Sequence, residues 1–302
     1  MFTRKYAKAI MLSVALMAFS GDTAAKPTEF TTIDYPGALH TYAQGNNAAG
    51  DVVGNYYDTS YALHGFLLRN GEFSSFDYPG AIWTDVYGIN PQGDIVGQYG
   101  WVDAFVSTTR GFLLRNGDFF SIDIAGQQNT MPYKINPSGT IVGCNHFNVN
   151  NNGGVVTATM TGFSLDSFGN ASSTSVRSMN LGINPAGDIV GYSFTTPAGD
   201  PSGRAERSYL LRDGVMNWFQ YPNAYATLAT DISPNGTIVG RYRLLSPATV
   251  RGFVLREGQF ESFDVPGAAL TVPYGVNAKG DIVGYYAVVT GSQVSYHGFL
   301  RH

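Results

Sequence analysis

The chain has 302 residues, a formal net charge of -4, 13% charged residues, 14% aromatics and 37 glycines. The acidic balance offers no basic footprint for a nucleic-acid backbone, and a glycine-rich, aromatic-rich, charge-poor composition suits short strands and tight turns rather than helices. A single cysteine, Cys144, excludes an internal disulfide, so packing and strand pairing must supply stability.

At the N-terminus Arg4, Lys5 and Lys8 precede the apolar run 9–19 and small residues ending Thr23-Ala24-Ala25. This is the layout of a cleavable secretory signal over residues 1–25, and the apolar run is about half of the ~20 residues that spanning a bilayer requires. The mature chain is expected to be secreted or periplasmic in a bacterium, with no membrane span.

From there one unit recurs six times. Its marker is Gly50-Asp51-Val52-Val53-Gly54, with counterparts opening at Gly93, Gly139, Gly187, Gly236 and Gly280, spaced by 43 to 49 residues. That period matches a four-stranded propeller blade. The second unit shows four strand-like stretches, 72–78, 83–90, 94–99 and 110–115, called a, b, c and d. Asn-Pro-x-Gly, as in Asn90-Pro91-Gln92-Gly93, joins b to c. Arg-Asn-Gly or Arg-Asp-Gly, as in Arg69-Asn70-Gly71 and Arg212-Asp213-Gly214, joins d to the next a. Both are hairpin turns, since Asn, Asp and Gly tolerate positive φ.

The fold expected is all-β: a six-bladed β-propeller of four-stranded antiparallel blades over residues 26–302. The repeats run about 29–71, 72–117, 118–169, 170–214, 215–258 and 259–302. Strand a stands at the start of the mature chain and strand d at its end, so the terminal strands are expected to share one blade and close the ring. A linear solenoid is the rival, but it would need polar capping units.

The units resemble the bacterial extracellular HAF-repeat proteins, whose His-Ala-Phe strand, Asp-Leu-Gly-like strand and Ile-Asn-x-x-Gly-x-Val-Val-Gly segment match His64-Gly65-Phe66, Phe76-Asp77-Tyr78-Pro79-Gly80 and Ile89 through Gly97. The chain has Gly where that family has Ala, and Asp-Tyr-Pro-Gly-Ala in place of the Asp-Leu-Gly segment. The resemblance implies secretion and a propeller-like fold, and fixes no activity.

Alternating strand directions put the b–c and d–a turns at one pole and the c–d loops and a–b links at the other. The first is uniform; the second carries the variable segments 100–109, 147–160, 193–206 and 243–250, and is the expected functional face. Positions where the units differ at a repeated spot are the candidates. At the start of b these are His40, Trp83, Asn129, Arg177, Ala226 and Leu270; near the end of c, Tyr57, Gly100, His146, Phe194, Arg243 and Ala287. Tyr42 and Asp85 follow inside b. Lys134 and Asp231 stand where other units have glycine, and could pair across the channel or bind a ligand. The repeated Asp34, Asp77, Asp123 and Asp264 are expected to accept turn hydrogen bonds, and Cys144 to be a small buried side chain.

No nucleophile elbow, zinc-protease helix, phosphate loop or cysteine–histidine metal cluster occurs. One carboxylate per unit is too few for calcium, so no metal or cofactor is expected. The leading expectation is a monomeric recognition module for an extracellular polysaccharide or oligosaccharide, binding through Trp83, Asp85, Asn129, Arg177, Arg243, Lys134 and Asp231. One alternative is a polysaccharide-degrading enzyme. As a uronic-acid lyase it would use His146 or His40 as base and Tyr42 as proton donor, with Arg177 or Arg243 on the carboxylate; as a glycoside hydrolase it would pair Asp85 with Asp103 or Glu206. The other is a protein-interaction scaffold of the envelope.

Overall fold

The computed structural model describes residues 29–101, 109–151, 154–194 and 206–302, and in them every regular element is a β-strand. After β1 (Phe30–Ile33) comes a sheet of β2 (His40–Asn46), β3 (Val52–Tyr57), β4 (Leu63–Arg69) and β5 (Glu72–Phe76). A second holds β6 (Trp83–Ile89), β7 (Ile95–Gly100), β8 (Arg110–Arg115) and β9 (Asp118–Ile122). Next, β10 (Asn129–Ile135), β11 (Ile141–Asn151), β12 (Gly154–Leu165), β13 (Ala171–Ile183), β14 (Ile189–Ser193), β15 (Arg207–Arg212) and β16 (Val215–Phe219) follow one another in a seven-stranded order. A further sheet contains β17 (Ala226–Ile232), β18 (Ile238–Leu245), β19 (Ala248–Arg256) and β20 (Gln259–Phe263). The last contains β21 (Leu270–Val276), β22 (Ile282–Thr290), β23 (Gln293–Arg301) and, beside β23, β1.

Within each sheet b pairs with c, c with d, and d with the a of the following unit, all antiparallel. β1 completes the last sheet, Phe30 standing opposite Arg301, so the two ends of the described chain share one ladder. The seven-stranded order has a local cause. Between a and b, five units turn on a residue of positive φ: Gly37, Gly80, Gly126, Asn223 and Gly267. Residues 172–177 offer neither Gly nor Pro, so the backbone runs straight on. β13 therefore pairs through Ala171–Ser173 with β12 and through Ser178–Ile183 with β14.

The core lies between sheet faces. Phe66, Phe112, Phe163, Phe253 and Phe299 on the d strands are fully buried, as are Val53, Val96, Val142, Val190, Val239 and Val283 on the c strands. The b strands come closest to one another, and this is what their glycines permit. A Cβ at Gly45 would lie 2.7 Å from the Tyr87 carbonyl, and one at Gly88 2.7 Å from that of Tyr133. A Cβ at Gly182 would lie 2.6 Å from Asp231 Cα, and one at Gly275 3.2 Å from Gly45 Cα, which returns the contact to the first sheet.

The b–c turns form the uniform pole. In the five b–c turns that open on Asn, three of them Asn-Pro, the Asn side chain accepts backbone N–H groups, as Asn90 Oδ1 does from Gln92 and Asp94 at 3.0 and 2.9 Å. Its amide reaches sideways in three places: Asn277 Nδ2 donates to Asn47 O at 3.0 Å, Asn47 Nδ2 to Asn90 O at 3.4 Å and Asn136 Nδ2 to Asn184 O at 3.3 Å. The recurring Asp of the Gly-Asp-x-Val-Gly segment is clamped by the Arg of the d–a turn in two-point contacts: Arg69 on Asp51, Arg115 on Asp94 and Arg212 on Asp188. These guanidinium contacts hold all three carboxylates below their usual pKa, and explain why Asp and Arg recur together.

The other repeated aspartates differ from expectation. Instead of capping turns, Asp77 and Asp34 pair with His64 and His297 at 2.8 and 3.0 Å. Asp123 and Asp264 pair with Arg110 and Arg251 at 2.5 and 3.3 Å. The turn is capped by a threonine instead, as Thr84 Oγ1 accepting from Tyr78 N at 2.9 Å shows.

Candidate functional site

Lys134 and Asp231 occupy the inner-strand glycine position, close beneath the Asn-Pro turns and therefore at the uniform pole. Their side chains are 3.3 Å apart and each is 10% exposed. Lys134 Nζ also donates to Gln44 O at 3.0 Å, while Asp231 accepts from Ile232 N and Val276 N at 2.9 and 3.0 Å. Of the two readings open to them, the side chains do pair with each other, across two inner strands. With donors and acceptors committed to each other and to three strands, the pair forms a cross-brace, and both residues also line a pocket beneath the turns.

At the opposite ends of the b and c strands the two sets of candidates face one another in register. His40 stands opposite Tyr57, Trp83 opposite Gly100, Asn129 opposite His146, Ala226 opposite Arg243 and Leu270 opposite Ala287. Their exposure separates them. Asn129 and Ala226 are buried, and Asn129 accepts from Thr109 N at 2.8 Å and donates to His146 O at 3.2 Å, so it holds the chain leading into β8. Arg177 and Arg243 are exposed, Arg177 lying 5.5 Å over the Phe194 ring. His146 is half-buried, and burial lowers its pKa; His40 accepts from Tyr296 N at 3.3 Å, its pKa lowered by burial and by His297. Asp103 lies outside the described residues, and Glu206 bridges to Ala226.

Trp83 owes its pose to its register partner. A Cβ on Gly100 would meet the indole at 2.5 to 2.7 Å, so the ring lies flat against the strand where the other units carry larger residues, with Ala287 the next smallest. Beside it opens a cavity of about 410 Å³ lined by Tyr57, Tyr61, Trp83, Asp85, Gln98 and Met131 among others. Asp85 forms its floor. The carboxylate accepts from Asn55 Nδ2 at 2.5 Å, Tyr87 OH at 2.5 Å and Gln98 Nε2 at 3.0 Å, all neutral donors. Some of its surface meets the cavity although protein surrounds it, and burial raises its pKa against the pull of Tyr87 and Gln98.

One level inside the mouth lies a ring that sequence reasoning passed over. The first residue after the strand-c glycine is Asn55, Gln98, Cys144, Tyr192, Arg241 and Tyr285 in turn, opposite Tyr42, Asp85, Met131, Met179, Leu228 and Val272 on the b strands. Tyr42 meets Tyr285, Tyr296 and Tyr57 at centroid distances of 4.9, 5.5 and 6.2 Å, and His40 meets Tyr296 at 5.4 Å. Burial raises the pKa of Tyr42 and Tyr285 well above the ordinary phenol value. Arg241 sits among Tyr274, Tyr285 and Tyr192, with Tyr274 as its hydrogen-bond partner. Cys144 is fully buried, and burial pushes its thiol up to about 12. Among the described residues no cluster of three His, Cys, Asp or Glu is placed to hold a metal ion, and no helix is long and apolar enough to cross a membrane.

With this geometry the chain is similar to TolB from Acinetobacter baumannii, at TM-score 0.54 and 14% identity over 84% of this chain and 64% of that one. The fold is propeller-like. The chain thus spans less than two thirds of the TolB chain. Other similar structures are an acylaminoacyl peptidase of Pyrococcus horikoshii (TM-score 0.49, 11% identity, 87% of this chain and 45% of that one) and the Aleuria aurantia lectin (0.46, 9%, 85% and 94%). No protein-family model matches the chain, and no curated protein matches it in sequence.

Proposed function

We propose that the chain is an exported, six-bladed β-propeller that recognises an extracellular glycan or similar ligand at its variable pole. The six inner segments β2, β6, β10, the second half of β13, β17 and β21 are taken as one per blade, with the shared β1–β23 ladder closing the ring. The observation that carries the functional reading is the cavity of about 410 Å³ beside Trp83. An indole held flat by Gly100, tyrosines on the rim and a floor of Asp85 and Gln98 combine an apolar platform with polar groups, the pairing that a sugar ring with one apolar face and several hydroxyls requires. Exposed Tyr61 and Ile82 form part of its apolar rim.

A catalytic reading has less support. Arg177 and Arg243 are solvated, and Asp85, the acidic group among the described residues lining the cavity, is held by neutral donors. Affinity electrophoresis against a panel of neutral and acidic plant and microbial polysaccharides tests the proposal. Wild-type protein is expected to be retarded by at least one polymer without depolymerising it, and Trp83→Ala to lose the retardation with an unchanged melting temperature. Passage through every polymer by a folded sample would end the glycan reading and leave a protein-interaction scaffold; shortening of a polymer would convert it to the enzyme reading.

A further inference from the structure

The ring below the mouth carries an imbalance that packing does not explain. Arg241 is the cation of that ring, and among the described residues it forms no ion pair; its neighbours are the phenols of Tyr274, Tyr285 and Tyr192, with the Glu206 carboxylate felt by Tyr192 rather than in contact with Arg241. A guanidinium enclosed by protein is costly unless an anion balances it. The equivalent position elsewhere is Asn55, Gln98, Cys144, Tyr192 or Tyr285, so the fold does not need a charge there. Arg241 keeps part of its surface open, as do Tyr274 and Tyr285 beside it. What the ring presents at Arg241 is thus a multidentate cation without a counter-ion, hydrogen-bonded to one phenol and framed by aromatic rings.

A ligand complementary to that set brings a planar anion, hydroxyl donors and a ring face. We propose that the channel below the mouth selects acidic sugars, with Arg241 seating the carboxylate of a uronic-acid residue. This rests on the glycan reading and names its substrate class. The planar guanidinium meets a carboxylate at two points, and the phenols around it supply walls and hydroxyl partners for the sugar. Arg177 and Arg243, the arginines singled out for this task in the sequence, stay at the solvated rim, where an ion pair is worth little.

Calorimetric titration of the folded protein with trigalacturonate, with its methyl ester and with malonate separates the possibilities, because esterification removes the charge and leaves the sugar. Wild type is expected to bind trigalacturonate at least ten-fold more tightly than the ester. Arg241→Gln should erase that difference while leaving the weak binding of the ester, and Arg241→Lys should retain part of it, melting temperatures serving as the check on folding. Equal binding of acid and ester by wild type overturns the proposal, as does a preference that survives Arg241→Gln. Malonate bound through Arg241 with neither oligosaccharide bound would keep the anion seat and discard the glycan reading. If no probe binds, both fall.

Discussion

Removing the cation from the buried cross-brace should be among the most damaging single changes in the molecule. In Lys134→Met the stem is replaced by a side chain of similar length, so cavity formation is minor and the loss is electrostatic. Asp231 keeps its N–H donors from Ile232 and Val276 and loses its only counter-charge. Truncating one member of a buried ion pair costs about 3–5 kcal/mol. The loss also carries a pH signature. Burial already raises the Asp231 pKa with Lys134 pulling it down, and without Lys134 it rises further. Each unit of that further rise costs about 1.4 kcal/mol at a pH above both values. A folded-state pKa above the unfolded one means that the folded state binds the extra proton. Stability is therefore full below the unfolded value and declines as pH climbs towards the folded one. Urea denaturation of Lys134→Met should accordingly show a deficit of about 3–5 kcal/mol near pH 7.5 that shrinks clearly at pH 5. The double variant Lys134→Met with Asp231→Leu, in which no charge is buried, should recover much of the loss. A deficit under about 1 kcal/mol that ignores pH would refute the cross-brace.

Three further outcomes follow from the geometry. Arg115→Ala removes a two-point contact to Asp94; a charged hydrogen-bonded pair contributes about 1.5–3 kcal/mol, and since Arg115 is nearly half exposed the loss should be nearer 1–2 kcal/mol by urea denaturation. Because Asp94 titrates below its unfolded value, that contribution should hold above about pH 4 and vanish as acid reaches the folded value, so variant and wild type should converge at low pH. Gly100→Ala should displace the Trp83 indole, changing tryptophan fluorescence and any polysaccharide retention together while costing little in melting temperature. Native protein at pH 8 should leave Cys144 unlabelled by a disulfide reagent and urea-unfolded protein should label fully; rapid native labelling would contradict its burial.

Much of the architecture was legible because it rests on local rules repeated six times. The Asn-Pro-x-Gly and Arg-Asn-Gly turns set which strands pair and which end of the sheets they share. What escaped was decided by contacts between units. Residues 172–177 lack a turn former, a sign visible in the sequence, yet the continuity of β13 from one sheet into the next depends on pairing on both sides. Lys134 and Asp231 stood out as charges in place of glycine, but only the approach of the inner strands shows that they meet. Arg241 was missed because the comparison of units stopped at the strand ends; moving one level inward sets it against Asn55, Gln98, Cys144, Tyr192 and Tyr285 and exposes the odd cation. His40 and Trp83 open β2 and β6 opposite Tyr57 and Gly100, whereas Asn129 was indistinguishable from a ligand contact until its bonds to Thr109 and His146 were seen.

The division of labour between poles is tested most directly by hydrogen-exchange mass spectrometry of the protein with and without trigalacturonate. The account predicts slowed exchange in peptides spanning residues 57–63, 82–100 and 238–245, with the Asn-Pro turns unchanged. Protection confined to the turns at Asn47, Asn90, Asn136, Asn184 and Asn277 would place the binding face at the pole assigned to architecture and contradict it.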